Sequence, residues 1–395
     1  MSAVLRKSII FIGVGLCGCR QVKELMDRGF EGFLINTSET DFQLLGSDIS
    51  EKRKYKIPDA DGVDKKREKA FEIFGNRIDE ISTYVLRDHS SFQHYVFVFS
   101  LGGGSGSGGA PALAEHFGYT FEAEGMDKTV SIMGTNPDEK DGLEALYNAK
   151  DCMSFIENHC SHITSKIYLD NSTMKDKFAI NTQIADLIGG LMSLPKVNEE
   201  VDIKTLERNG MKQSDGEEAL ALWRTKGCIN MAIINPNKPQ AKDGEEETGI
   251  IEPVVFIPPY NKKPIKMAVS ASPTLKLDGD NGEVLRQELI KALGQHGSDI
   301  KAGYNDSDVS YAYTFGHATP QHIIDNLNKM IENIENNVST EEEEILDFGS
   351  KGKGLDALFG QSKAKSNSTA GSPFAKLTGN SGGSPFGKSK TLGKR

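Results

Sequence analysis

The 395-residue chain lacks long hydrophobic runs. Its most apolar stretches, "IIFIGVG" and "VVFIPP", fall well short of the roughly 18 residues a membrane-crossing helix needs. The opening "MSAVLRKSIIFIG" has no small-residue cleavage site behind a longer apolar core, so neither a secretory leader nor membrane insertion is expected. Cysteine is sparse. The five residues Cys17, Cys19, Cys152, Cys160 and Cys228 are odd in number and scattered, which argues against a disulfide framework and suits reduced thiols in a cytoplasm. No further Cys or His cluster completes a metal site around Cys17 and Cys19, which read as small buried residues beside a glycine segment. The single tryptophan, Trp223, reads as a core or interface residue. GxxxxGK(S/T) matches only at Gly382 to Ser389, in the Gly/Ser/Lys-rich C-terminal stretch with no strand pattern before it, and no strand-to-helix turn carries it, so the lysine-bearing phosphate loop is excluded there.

The net charge of −10 is unevenly spread. From Phe348 to Arg395 nine Lys or Arg face one acid, Asp356, so this tail carries +8 and the rest of the chain −18. An acidic body is poorly suited to nucleic acid, whereas a basic tail can reach DNA, an adaptor protein or the acidic bodies of its own kind.

The first half alternates strand and helix patterns. "SIIFIGVG", "GFLINT", "HYVFVFS", "KTVSIMGTNP" and "HITSKIYLDN" read as strands, with "CRQVKELMDRGF" and a single long helix over "DKKREKAFEIFGNRIDEISTYVL" among the helices. Apolar strands alternating with helices imply an α/β domain around a parallel sheet covered on both faces, over residues 1–174. A linking segment, 175–209, follows. The weaker pattern of "CINMAIINP", "EPVVFIPP", "KMAVSAS" and "DVSYAYTFG", with three interspersed helices, suggests a smaller α+β domain over 210–337. Residues 338–395 begin acidic and become rich in Gly, Ser and Lys, a composition expected to be disordered. The repeated "GSPFAK" and "GSPFGK" within them read as short binding elements.

Ligands of such sheets sit beyond the carboxyl ends of the strands. Two glycine segments lie there, Gly13 to Gly18 and Gly102 to Gly109. Glycine lets backbone N–H groups converge on an anion, and a following helix adds partial positive charge. Ser105 and Ser107 add hydroxyls that suit a phosphate or its metal ion. Two cradles on one sheet suggest a nucleotide with several phosphates. "GVGLCG" alone also fits a dinucleotide-binding oxidoreductase. That fold wants an acid at the end of the second strand, however, where this chain has Asn36 and Thr37, and it leaves "LGGGSGSGG" unexplained.

The segment "GGGSGSG" resembles the GGGTGTG motif of the tubulin/FtsZ family, with serines in place of both threonines. Other loops agree in order: "GVGLCGCR" is similar to the family's first phosphate loop, "INTSETDFQLL" to NTDxxxL, "PDADGVDKKREKA" to the loop that senses the γ-phosphate, and "TNPDEKDG" to TxPxxxEG. The similarity spans about residues 8 to 210. It implies a Rossmann-type GTPase domain, a linking helix, a smaller second domain and GTP or GDP as ligand, with Mg2+ carried by the phosphates and not by protein ligands.

Carried over position by position, the resemblance implies that Gly13, Gly15, Gly18 and Cys19 approach the α- and β-phosphates from one side. Gly102, Gly103, Gly104, Ser105, Gly106 and Ser107 would approach from the other. Ala60, Asp61 and Gly62 would face the γ-phosphate, and Thr135, Pro137, Glu139 and Asp141 the ribose. Asn36 falls in the second loop, where it also reads as a strand-end turn residue. Asn171, Phe178, Asn181 and Thr182 would meet the guanine, although Phe178 also fits a helix core. In this family the hydrolytic carboxylate comes from the next subunit of a head-to-tail filament. In "VNEEVDIKTL" the best match is Asp202, with Glu199 at the earlier acidic position; Asp202 also suits a helix cap. The pattern departs here, because Asn198 is shifted by one position. The first loop "GVGLCGCR", in place of a nearly all-glycine one, and "YLDN" before a short linker resemble the plasmid- and phage-encoded TubZ branch, whose basic tail engages a DNA-bound adaptor. Division by an FtsZ-like filament and a nucleotide-binding scaffold with little turnover are the alternatives.

Overall fold

The structure, a computed structural model, describes residues 3–46, 49–171, 179–196, 203–235, 251–255, 266–275, 277, 282–287, 290, 300–319 and 321–350. Its first half follows a strict alternation: α1 (Ala3–Ser8), β1 (Ile9–Val14), α2 (Gly15–Asp27), β2 (Gly32–Asn36), α3 (Glu39–Gln43), β3 (Lys54–Lys56), α4 (Arg67–Asn76) and α5 (Ile78–His89). There follow β4 (His94–Ser100), α6 (Ser105–Ala123), β5 (Thr129–Asn136), α7 (Leu143–His159), β6 (Ile163–Asp170) and α8 (Ala179–Leu191). The second half holds α9 (Ile203–Arg208), β7 (Met211–Gln213), α10 (Gly216–Trp223), β8 (Gly227–Ile234), β9 (Ile251–Val255), β10 (Lys266–Ala271), β11 (Ile300–Tyr304), β12 (Ser310–His317) and a C-terminal helix, Gln321–Ser350.

The six strands of the first half pair in the order β3-β2-β1-β4-β5-β6, all parallel. Strand order reverses between β1 and β4, and that crevice is where a doubly wound sheet binds its ligand. Successive residues of β1 feed opposite cores. Ile10, Ile12 and Val14 pack with Phe97, Phe99 and Phe117 on one face, while Ile9 and Phe11 pack with Val96, Val98 and Leu187 on the other. Burial on both faces explains why these strands read as continuous apolar runs.

The sheet does not stop at β6. Strand β8 pairs with β6 through Ser165↔Gly227 and Lys166↔Cys228, then continues through antiparallel β12 and β10 to β11 and β7, with β9 on its other side. Helix α8 buries Ile180, Ile184, Leu187 and Ile188 against this junction, and Tyr313 Oη donates to Leu187 O at 2.8 Å. Trp223, fully buried at the end of α10, sets its ring edge against Phe11 of β1 at 6.1 Å. It therefore ties the second half to the first.

Three local expectations change. The single long helix is two, α4 and α5, broken at Arg77 (φ −123°, ψ 14°), whose N–H closes the first helix on Phe74 O. Short strands β3, β7 and β11 carry too little periodicity to be read from sequence. The C-terminal helix runs to Ser350, across position 337 where the second domain was expected to end. Residues 351–395 lie outside the described residues.

Candidate functional site

The carboxyl ends of β4, β5 and β6, together with the first turns of α2 after β1, border one cleft of about 290 Å3. Its floor is the segment joining β4 to α6. Gly103 is open on the cleft side, since a Cβ there would lie no closer than 3.7 Å to Ser100. Gly102 is tighter: a side chain would stand 2.8 Å from Ala145 O and 3.0 Å from Pro137. At Gly104 a Cβ would reach Val63 at 2.5 Å and the Cα of Lys65 at 3.0 Å, so glycine here lets a neighbouring loop lie against the start of α6. The nineteen residues of α6 direct their N-terminal N–H groups and dipole toward this floor.

The two glycine segments interlock. Gly15 has φ +71°, and a Cβ on it would stand 3.0 Å from Gly106 N. Thr37 Oγ1 and Ser105 Oγ share a hydrogen bond at 2.8 Å, joining the end of β2 to the first turn of α6. Backbone from three strands thus converges within a few ångströms.

Several glycines serve packing. A Cβ on Gly18 would overlap Val98 O, and one on Gly13 would come within 2.7 Å of Gly18 O, so both let α2 lie flat on the sheet. Gly108 and Gly109, read from sequence as part of the loop, lie inside α6 against Arg67 O and the Phe74 ring of α4. Cys19 is fully buried, which fits its reading as a small buried residue beside a glycine segment and not a place at the cleft; its thiol has Gly13 O at 3.5 Å and Ile35 O at 3.6 Å as acceptors for its one proton, and burial pushes that thiol's pKa up. Cys17 lines the cleft in its place. The Ser107 hydroxyl is also taken, donating to Gly103 O and Gly104 O.

The other sequence-derived positions divide. Pro137, Asp141, Asn171 and Asn181 line the cleft with Gly102 and Gly103. Asn36 is buried just behind it and works as a turn residue, accepting from Thr37 N at 2.8 Å and donating to Asp41 Oδ2 at 3.0 Å. Thr135, also buried, accepts from Gln21 Nε2 at 2.9 Å. Ala60 belongs to the core, Asp61 is exposed, and Gly62 (φ +75°) donates its N–H to Thr37 O at 3.1 Å. Glu139 points to solvent in the short turn that Asp141 closes by accepting from Asp138 N. Thr182 is exposed on α8 and gives its carbonyl to Arg28. Phe178, Glu199 and Asp202 lie outside the described residues.

Sequence reasoning missed Arg20, Gln21, Lys65, Ser100, Ala145 and Ile180, all of which line the cleft. Cys17, Arg20 and Gln21 lie three and four residues apart on α2, a helical spacing that could have revealed them. Lys65 has no periodic signal, but it lies within "PDADGVDKKREKA", whose resemblance to the loop that senses the γ-phosphate could have pointed to it. Two buried acceptors at the cleft, Gln21 Oε1 and Asn171 Oδ1, have no hydrogen-bond partner, and neither has Asn136 Oδ1 just behind. Buried acceptors left this way cost about 1–3 kcal/mol each, a cost that a ligand's amino, amide or hydroxyl donors would remove. Among the described residues no group of three or more His, Cys, Asp or Glu is placed to hold a metal ion.

Residues 8–178 match the family described as "Tubulin/FtsZ family, GTPase domain". The tubulin-like protein TubZ of Clostridium botulinum C phage is 26% identical over 200 residues, covering 50% of this chain and 54% of that protein. CetZ of Pyrococcus horikoshii is 28% identical over 220 residues, covering 51% and 56%. The chain thus spans about half the length of the curated relatives it matches. Among solved structures, Clostridium botulinum phage c-st TubZ superposes with a TM-score of 0.65 at 20% identity, covering 83% of this chain and 98% of that one. A helical model of the TubZ-Bt two-stranded filament gives 0.66 at 12% identity, covering 89% and 94%.

Proposed function

We propose that this chain, which has the tubulin/FtsZ-like fold, binds GTP and GDP in the cleft beyond β1, β4 and β5 and hydrolyses GTP as it assembles head to tail into filaments. The observation that carries the reading is the pairing of two features in one cleft. A floor of interlocked glycines at the start of α6 suits phosphates, and the partnerless acceptors Gln21 Oε1 and Asn171 Oδ1 suit the donors of a ribose and a guanine. Mg2+ would arrive on the phosphates, where the Ser105 hydroxyl has the right chemistry to meet it.

Phosphoryl transfer rests on positioning and charge stabilisation. The chain's own cleft holds the nucleotide, and the water-orienting carboxylate is assigned to Asp202 of the adjacent subunit, with Glu199 as the earlier acid of the same stretch. The likeness to a filament-forming TubZ supports assembly, and the basic tail supports docking to an adaptor or DNA complex. On that basis the filament positions plasmid or phage DNA in a cytoplasm; no helix among the described residues is long and apolar enough to cross a membrane. The comparable likeness to CetZ favours a second reading, a tubulin-like filament with another cargo.

Pelleting with GTP, together with phosphate release per polymer, tests the core of this proposal. Asp202→Ala should pellet normally and release phosphate at least about tenfold more slowly. Unchanged release would overturn interface catalysis, and absence of GTP-dependent pelleting by the unaltered chain would overturn assembly.

A further inference from the structure

We propose that Gln21, held by Thr135, is the acceptor that reads the ribose in this cleft and makes it prefer ribonucleotides to deoxyribonucleotides; this rests on the nucleotide reading above. Gln21 lies on α2 beyond the first glycine segment, is only 1% exposed, and borders the cleft. Its Nε2 donates to Thr135 Oγ1 at 2.9 Å, which commits the donor end of the amide to β5 and leaves Oε1 as the end without a partner. A buried acceptor in that state is costly until a donor meets it. The cations of the cleft, Arg20 and Lys65, are not that donor: Lys65 donates to Asp141 O, and Gln21 Oε1 accepts from neither.

The place of this atom in the cleft selects its donor. Thr135 sits in register between Ser100 of β4 and Leu169 of β6. Just beyond Ser100 lie Gly102 and Gly103, and just beyond Leu169 lies Asn171, all of them lining the cleft. Adjacent strands are about 4.8 Å apart, so the glycine floor and Asn171 are separated by about 10 Å, with Thr135 and its Gln21 partner between them. A nucleotide laid across these strands, phosphates on the glycines after β4 and base toward Asn171 after β6, brings its ribose to β5. Phosphate oxygens are themselves acceptors and do not suit Oε1, whereas ribose hydroxyls donate. Gln21 also stands six residues from Gly15, about 9 Å along α2, which keeps its carbonyl away from the anion at the helix start.

A ribose hydroxyl satisfies Oε1 on binding, and a deoxyribose leaves it unpaired. Sites that bond a substrate hydroxyl reject the analogue lacking it for this reason. The discrimination falls on the sugar alone, so it leaves the choice of base untouched. Thr135 is the positioning residue. Without its hydroxyl the amide is free to turn, and an amide that presents either end no longer favours a donor.

The test uses the full chain with Mg2+, titrated with GDP, 2′-deoxy-GDP, 3′-deoxy-GDP and inosine diphosphate, which keeps both hydroxyls but lacks the exocyclic amino group of the base. The unaltered chain should bind GDP about tenfold tighter than one of the two deoxy analogues. Gln21→Leu should bring that ratio within about twofold, chiefly by weakening GDP, and leave the ratio of GDP to inosine diphosphate as it was. Thr135→Val should lose part of the sugar preference. Melting temperatures check that both variants fold, and the comparison of analogues on the unaltered chain stands without them. Equal binding of GDP and both deoxy analogues by the unaltered chain overturns the proposal and leaves the nucleotide reading standing. So does a sugar preference that Gln21→Leu leaves intact, or a loss of the inosine discrimination in its place, which would make Gln21 a reader of the base. If the unaltered chain binds none of the four, the nucleotide reading falls and this proposal falls with it.

Discussion

Alanine placed at Gly62, Gly15 and Gly18 in turn separates backbone strain from close packing in the loop before α4 and in the first glycine segment. Gly62 has φ +75° and nothing within 4 Å of a built Cβ, so Gly62→Ala bears only the left-handed penalty. That penalty is about 1–2 kcal/mol, partly offset by the lower entropy of an unfolded chain with alanine, about 0.4–1 kcal/mol, which leaves about 1 kcal/mol. Gly15→Ala bears the same penalty at φ +71° and also places its Cβ 3.0 Å from Gly106 N, where the neighbour is backbone and can yield only by moving the second glycine segment. About 2 kcal/mol is expected. Gly18 has no left-handed backbone, but its Cβ would overlap Val98 O, so α2 must lift off β4. Overpacking against backbone costs about 3 kcal/mol or more. Urea unfolding of the nucleotide-free chain at constant m would give the order Gly62→Ala, Gly15→Ala, Gly18→Ala by falling midpoint. A midpoint for Gly62→Ala as low as that of Gly18→Ala would refute the geometry on which the cleft is built.

Other expectations are more local. Burial, with a smaller contribution from Arg224, pulls the His94 imidazole down to about 3, while its Nδ1 bonds Thr129 Oγ1 at 2.7 Å. The unfolded chain takes up that proton near the ordinary value of about 6.5, so the stabilisation is full above it and falls by about 1.4 kcal/mol per pH unit as pH drops toward 3. Denaturant titrations at pH 6 and pH 4.5 should show His94→Asn losing one proton's worth of that slope. An unchanged slope would show that His94 is not the group. Trp223 is the sole tryptophan and fully buried, so its emission should be blue-shifted and resistant to a soluble quencher. Trp223→Ala should cost about 3–5 kcal/mol, and a cost under about 1 kcal/mol would contradict its packing on Phe11.

Much of the first half was legible because its strands are buried on both faces and the turns at their carboxyl ends are glycine-rich. Burial writes apolar runs into the sequence, and close backbone approach writes glycines. The same glycine code was ambiguous about purpose. Gly103 and Gly15 shape the cleft, while Gly18, Gly108 and Gly109 let helices lie on strands or on each other. Cys17 and Cys19 were indistinguishable in sequence, yet the helical turn sends one to the cleft and the other to the core.

By itself, the sequence determined the alternating strand and helix order, the two glycine segments at strand ends, the lack of a lysine in either of them and the segregation of positive charge in the tail. These are local properties, set by periodicity, composition and steric need. Only the tertiary structure decided which side chains share the cleft. Lys65 reaches Gly102 and Gly103 because a left-handed turn, an absent Cβ at Gly104 and the Asn148 amide bring together residues distant in the chain. Such a meeting leaves no periodic trace, since each partner satisfies a different local rule and only their packing makes them neighbours.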